Sequence, residues 1–263
     1  MAIITLISDW GIYDYYVGAV KGYISNHSPN TTIVDINHQI TRFNTSQAAF
    51  VLRNSFGYFP KGTIHLIAIN TEPVRENAHV VVYHDNHYFI GADNGIFGLL
   101  MRDNPTKVIK LHAENDENSC FPALALLAPA ACKIANGEEL DSLGADYKNL
   151  RINTPLRPAI DELVITGKVL YIDSFKNAIT NISRELFDRV GKGRDFEILV
   201  QSNHYRVNRL NKTYSETSVG ELLALFNTSG LLEIAINRGT AAQLLNLDTN
   251  STIRVKFNDK KLR

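Results

Sequence analysis

The sequence predicts an α/β N-terminal domain with a mostly parallel sheet, followed by a smaller, mostly antiparallel and barrel-like β domain. Three observations carry this reading. The first part of the chain alternates strand and helix signals at the spacing of βαβ units. A stretch without period, LRINTPLRPAIDE, follows and contains Pro155 and Pro158. Beyond it, short runs rich in β-branched and aromatic residues dominate. The domains are read as 1–150 and 162–263, joined by a linker over 151–161.

Ile3 to Ser8 is a near-continuous apolar run that suits a strand buried on both faces, and Gly11 supplies the turn after it. Tyr15 to Asn26 reads as a helix that ends before Pro29, and Thr31 to Ile36 as a second strand. Asn44 or Thr45 caps a helix through Ser55 that carries Ala48, Ala49, Val51 and Leu52 on its apolar side. Pro60 and Gly62 close that region, and Thr63 to Ile69 is the next strand. Val80 to Tyr83 and Tyr88 to Ile90 form a hairpin through Asp85 and Asn86, and Pro129 to Ala135 is a further helix. In the second half, Leu163–Tyr171, Phe196–Val200, His204–Val207, Leu231–Ile236 and Thr252–Phe257 read as strands.

Composition limits the function. The 263 residues hold 27 basic and 27 acidic side chains, so no overall field favours nucleic acid or an anionic membrane. No 18-residue apolar window occurs and the N-terminus lacks a leader pattern, so a soluble, cytoplasmic protein is expected. Cys120 and Cys132 have neither CxxC spacing nor a histidine cluster beside them, and are read as two packed thiols. No cofactor and no metal are expected: His79, His84 and His87 read as a solvated hairpin, and His65 and His112 as ordinary strand or surface residues.

The most informative segment is ITLISDWGIYDYYVG, where a buried strand runs into two carboxylates, Asp9 and Asp14. In an open α/β sheet the carboxyl edge is where ligands bind. Two carboxylates without a lysine or a glycine-rich loop disfavour a phosphate and suit hydroxyls or a cation. Taken alone, Asp9 is equally open to capping the helix that follows.

SDWGIYDYYVG, PNTTIVDINHQI, FPKGTIHLIAI, ADNGIFGLL, YIDSFKNAITNI and SGLLEIAINRGTAA occur in the order found in the S-adenosylmethionine hydroxide adenosyltransferases, the family that also contains the fluorinase and chlorinase. The chain resembles that family over nearly its whole length. The resemblance implies that Asp9 holds the ribose hydroxyls of S-adenosylmethionine, that Asp14 matches the family's second aspartate and also holds the substrate, and that Phe43 is an aromatic near the ligand. Trp10 stands where Phe or Leu is usual and is read as core. Asp173, Phe175 and Asn177 match a DxFGN motif whose members take the methionine ammonium, stack on adenine and read the adenine edge. Lys176 replaces the motif's glycine. Ser229 and Gly230 fall where the methionine carboxylate binds, and Ala241 where backbone contacts adenine; a tight turn and close packing are the structural alternatives for Gly230 and Ala241. The resemblance further implies a homotrimer with each site between the first domain of one subunit and the second domain of its neighbour.

Where the family's hydrolases activate water, this chain departs. Asn70 replaces the aspartate of a DPGVG motif, and TEPVREN follows it, so Arg75 offers a positive charge at altered spacing. Pro122, Leu124 and Ala125 stand at the histidine, arginine and aspartate of a TFHGRD motif. Neutral Asn70 orients a water but accepts no proton; Glu72, in the same loop, is the candidate substitute base. His38, in DINHQI, is read as a structural hydrogen-bonding residue. Two functions follow from the resemblance: hydrolysis of S-adenosylmethionine to adenosine and methionine, with Arg75, Asn70 and Glu72 placing water, or non-catalytic binding of S-adenosylmethionine or adenosine. Halide transfer is a weaker third.

Overall fold

The computed structural model describes residues 1–72, 78–101, 103–112, 120–202 and 204–261. The chain divides into two compact units, Met1–Pro155 and Leu156–Arg263. In the first, the order is β1 (Ile3–Ser8), α1 (Tyr16–His27), β2 (Thr32–Asn37), α2 (Thr45–Arg53), β3 (Ile64–Ala68), β4 (His79–His84), β5 (His87–Ala92), α3 (Ile96–Leu100), β6 (Lys107–Leu111), α4 (Ala128–Ala135) and β7 (Gly144–Asp146). The strands form a 7-stranded sheet in the order β2-β1-β3-β5-β4-β6-β7. Its first four members are parallel and the rest pair antiparallel, so the sheet is mixed.

Both faces are covered, which is why β1 and β3 are mostly apolar and buried nearly along their whole length. Val20 and Ile24 of α1 and Ala128 and Ala131 of α4 pack with Ile4, Leu6, Ile64 and Leu66. Ala48 and Leu52 of α2 and Ile96 and Phe97 of α3 pack with Ile7, Ile67 and Phe89. Asn44 caps α2 by accepting from the Gln47 N–H at 2.9 Å. Between the sheet and Phe56 runs a buried polar chain. Thr5 Oγ1 lies 2.7 Å from His65 Nδ1, and His65 Nε2 lies 3.1 Å from His87 Nδ1. Burial drives the His65 pKa down to about 3 and lowers that of His87 as well.

The second unit contains β8 (Ala159–Asp161), β9 (Val164–Ile172), β10 (Ala178–Ser183), α5 (Arg184–Gly191), β11 (Arg194–Val200), β12 (Tyr205–Val207), β13 (Leu222–Phe226), β14 (Leu231–Ile236), α6 (Ala241–Leu244) and β15 (Thr252–Lys261). Its sheet runs β12-β11-β15-β9-β10-β14-β13, with β8 on β9, and every pairing is antiparallel. A bridge between Asn211, just past β12, and Leu225 of β13 draws the sheet's ends together into a nearly closed barrel. Ser183 caps α5 through the Leu186 N–H, and Phe187 enters the core edge-on to Phe196, Phe226 and Phe257.

The structure corrects several expectations. The segment 151–161, read as a linker, contains strand β8. Helix α5 and strands β6, β7, β10 and β13 were not foreseen. Cys120 is exposed, so only Cys132 is a packed thiol, with burial raising its pKa to about 11. His87 is buried against His65 rather than solvated.

Candidate functional site

From β1 the chain winds through α1 to β2 on one side, and through α2 to β3 on the other. The winding direction therefore reverses between β1 and β3, and ligands bind at the carboxyl edge of such a switch point. Ser8 pairs with Ala68 across these strands, so Asp9 and the Ile69–Asn70 pair leave the sheet as neighbours there.

Asp9 does not cap α1. That helix begins after Tyr15, which makes no side-chain cap. Its Oδ2 instead accepts the Phe43 N–H at 2.8 Å, and its Oδ1 makes no hydrogen bond with the described residues. Phe43 sits at φ +63 with its ring exposed, a left-handed conformation that costs a residue with a Cβ about 1–2 kcal/mol. Asp14 is exposed on the turn before α1, among exposed Ile12, Tyr13 and Tyr15.

A relay that runs from two buried residues to an exposed carboxylate supports this edge. Ser8 Oγ lies 2.7 Å from His38 Nδ1, and His38 Nε2 lies 3.0 Å from Asp35 Oδ1. A neutral ring that donates Nε2–H to the carboxylate receives the Ser8 hydroxyl at Nδ1. Burial opposes ionisation of Asp35, but hydrogen bonds from Lys21 and His38 outweigh it and lower its pKa. The His38 carbonyl also accepts the Gly11 N–H at 2.7 Å, where Gly11 takes φ +77. His38 thus ties the loop after β1 to the loop after β2, the structural role expected of it.

At the end of β3, Asn70 is half-buried and turns the chain at φ +47, a left-handed conformation that asparagine tolerates. The Asn94 amide donates to the Ile69 carbonyl at 2.9 Å and, more weakly, to that of Asn70 at 3.4 Å. Glu72 is exposed. Arg75 lies outside the described residues. Pro122 opens a π-turn over Ala123–Leu127, in which the Phe121 carbonyl accepts the N–H groups of Leu124 and Ala125. Trp10, Tyr16 and Phe121 form an aromatic cluster there, with Trp10 and Phe121 each packed against the core and their centroids 5.2 Å apart. Pro122, Leu124 and Ala125 supply no side-chain base, and Trp10 packs as expected.

In the second unit, the β9–β10 hairpin is closed by its own polar residues. Asp173 Oδ1 accepts the Asn177 N–H at 2.8 Å, and Oδ2 accepts the Asn177 amide at 3.2 Å. Lys176 sits at φ +66, which explains why a glycine suits this position. Its carbonyl accepts the Ala242 N–H at 2.8 Å, bringing the fully buried Ala241 at the start of α6 against the hairpin. Phe175, 75% exposed, stands at the tip. Asp173, Phe175, Asn177 and Ala241 are thus gathered at one end of β10.

Ser229 and Gly230 lie on the β13–β14 turn, at the other end of β10, where the Arg184 N–H meets the Gly230 carbonyl at 2.9 Å. Gly230 has φ +70, as a tight turn requires. Glu233 of β14 lies between the two ends and is 3% exposed. It accepts the Tyr214 hydroxyl at 2.7 Å and the Asn227 amide at 3.1 Å. Burial, Glu233 and Asp173, in that order, raise the Tyr214 pKa. Sequence reasoning did not single out Asn94, Tyr214, Asn227 or Glu233. An acidic residue inside the apolar strand LLEIAI was the available signal for the last of these.

Comparison with known proteins covers both units. The profile of the SAM hydroxide adenosyltransferase N-terminal domain matches residues 4–144, and that of the C-terminal domain matches residues 167–254. The chain is similar to proteins named (R)-S-adenosyl-L-methionine hydrolase from Methanocaldococcus jannaschii, with 30% identity over 97% of this chain and 96% of that protein, and from Thermus thermophilus, with 27% identity over 97% and 100%. It also superimposes on the crystal structure of an uncharacterized conserved protein from Thermotoga maritima, with a TM-score of 0.86 and 25% identity over 97% of this chain and 100% of that one. With both domains matched in order over most of its length, the chain belongs to the SAM hydroxide adenosyltransferase family.

Proposed function

We propose that this protein is an enzyme that hydrolyses S-adenosylmethionine to adenosine and L-methionine. The carrying observation is the switch-point edge, where Asp9 keeps one carboxylate oxygen free and the chain leaves β3 next to it through Ile69 and Asn70, in a chain whose full-length relatives are named for this hydrolysis. Those names specify the (R) sulfonium epimer, which is the form to assay alongside the other.

Asp9 Oδ1 takes the ribose hydroxyls, while its Oδ2 stays on the Phe43 N–H and keeps that loop in place. Asn177 and Ala241 meet the adenine edge, with Phe175 against its face. Asp173 takes the ammonium and Ser229 with Gly230 the carboxylate. Asp173 has lone pairs left for this after its two bonds to Asn177.

In the reaction a water oxygen bonds to the 5′ carbon as the carbon–sulfur bond breaks. The sulfonium keeps the bonding pair and leaves as the neutral thioether of methionine, so no general acid is needed. Asn70 orients the water, Glu72 accepts its proton, and Arg75 is assigned to the same loop. Losing a positioned base costs on the order of 10²- to 10⁴-fold, so this altered set predicts a slow hydrolase.

The exposed Ile12, Tyr13, Tyr15 and Phe43 in the first unit and Phe175 in the second support a homotrimer with sites shared between subunits. The cytoplasm is its proposed location. The test is product analysis by chromatography with each epimer and with Glu72→Gln. Adenosine and methionine in equal amounts, formed faster than without protein and slowed by Glu72→Gln, support the reading. Retention of S-adenosylmethionine without turnover would show a binding protein.

A further inference from the structure

We propose that Glu233 is a positioning residue for the methionine end of the site: it fixes the orientation of the Asn227 amide, and through it the shape of the turn that presents Ser229. The proposal rests on the reading of Ser229 and Gly230 as the carboxylate end.

Asn227 holds the turn from within. Its Oδ1 accepts the N–H of Ser229 at 3.0 Å and that of Leu231 at 3.2 Å, and its carbonyl accepts the Gly230 N–H at 2.9 Å. Three successive N–H groups are therefore used inside the turn. The exposed Ser229 hydroxyl makes no hydrogen bond with the described residues and is left to meet a ligand.

This arrangement works in only one of the two amide orientations. With Oδ1 and Nδ2 exchanged, the NH₂ group faces two N–H donors and both bonds are lost. Glu233 Oε2, 3.1 Å from Nδ2 and placed as its acceptor, selects the productive orientation. Glu233 is itself held from the other side by the Tyr214 hydroxyl at 2.7 Å. Its side chain lies on the β14 face that carries Ala235, Leu223 and Leu225, opposite the main core formed with Leu232 and Ile234. A buried acid on that face destabilises the fold unless its bonds are made, and the bonds it makes lead to the Ser229 turn.

Gln in place of Glu233 preserves this geometry: its oxygen accepts from Asn227, and its NH₂ donates to the Tyr214 oxygen. Leu preserves bulk and removes both acceptors. The experiment measures KM and kcat for S-adenosylmethionine, and the inhibition constant of adenosine, for Ser229→Ala, Glu233→Leu, Glu233→Gln and Asn227→Ala in the intact protein.

Ser229→Ala is expected to raise KM roughly ten- to a hundred-fold, the range for a hydrogen bond to a charged group. Its kcat and adenosine inhibition should hold, because the contact persists from ground state to transition state. Glu233→Leu and Asn227→Ala should do the same, and Glu233→Gln should stay within about threefold of the parent. Should Glu233→Leu fail to fold, Asn227→Ala carries the comparison with Glu233→Gln. Three results would overturn the proposal while sparing the reading of the turn: a raised KM in Ser229→Ala alone, equal weakening of adenosine and S-adenosylmethionine in Glu233→Leu and Asn227→Ala, or Glu233→Gln as impaired as Glu233→Leu. An unchanged KM in Ser229→Ala would reject the carboxylate reading and the proposal with it.

Discussion

Acidification should loosen the first unit through one buried pair, His65 and His87. His65 is 0% exposed, bonded to Thr5 and His87, and stacked on Phe89 at 4.9 Å, so its protonated form is excluded from the folded state. Its folded pKa is about 3, below the 6.5 of an unperturbed ring. The unfolded chain therefore binds a proton between these values that the folded chain does not, and stability falls as pH drops through this window. Above the unfolded value both states are neutral and His65 contributes no pH dependence. Between neutrality and pH 5, above most carboxylate titration, the loss for this one ring comes to about 2 kcal/mol at 1.36 kcal/mol per unit. His87 and His79, both also lowered by burial, add to it in the same direction. Against a total stability of about 5–15 kcal/mol the effect is measurable. The only tryptophan, Trp10, lies in this unit and reports its urea unfolding by fluorescence. His65→Phe should be less stable than the parent at neutral pH, because it strands Thr5 and His87, and should lose much less on going to pH 5. Equal losses in the two proteins over that interval would refute the argument.

Three further substitutions test the site. Lys176→Gly removes a side chain from a left-handed position at φ +66 and should stabilise the second unit by about 1 kcal/mol in calorimetry. Asp9→Asn leaves an acceptor for the Phe43 N–H but no anion for the ribose; KM should rise roughly tenfold with little change in melting temperature. Asn70→Asp places a proton acceptor where the chain has a neutral amide, on a backbone conformation that aspartate also tolerates, and should raise kcat by on the order of tenfold or more. An unchanged kcat would show that residue 70 does not face the water.

The first half of the fold was legible because its signals are local. The apolar run before Asp9, the Asn44 cap and the Asp85–Asn86 turn each state their own structure, and the carboxyl-edge rule then places Asp9. The second half was read less well for a physical reason. AITNIS and LLALF, strands β10 and β13, have too short and too mixed a period to be told from loop or helix without their partners. Helix α5 does carry a signal, Ser183 at its cap and Leu186 with Phe187 on one side, but its 8 residues give too short a period to stand out among neighbouring strands. The site divides in the same way. Motif residues such as Asp173 and Asn177 lie four apart and close their own hairpin, whereas the Tyr214–Glu233–Asn227 chain exists only once β13 and β14 are paired. The π-turn after Pro122 could not be foreseen from ALALL, which reads equally well as an ordinary helix.

The most direct test of the central claim is incubation of the protein with S-adenosylmethionine in ¹⁸O-labelled water, following adenosine by mass spectrometry against a protein-free control. Attack of water at the 5′ carbon predicts adenosine that carries the label at its 5′ oxygen and accumulates faster than in the control. No adenosine above the control, with S-adenosylmethionine still retained by the protein, would contradict it.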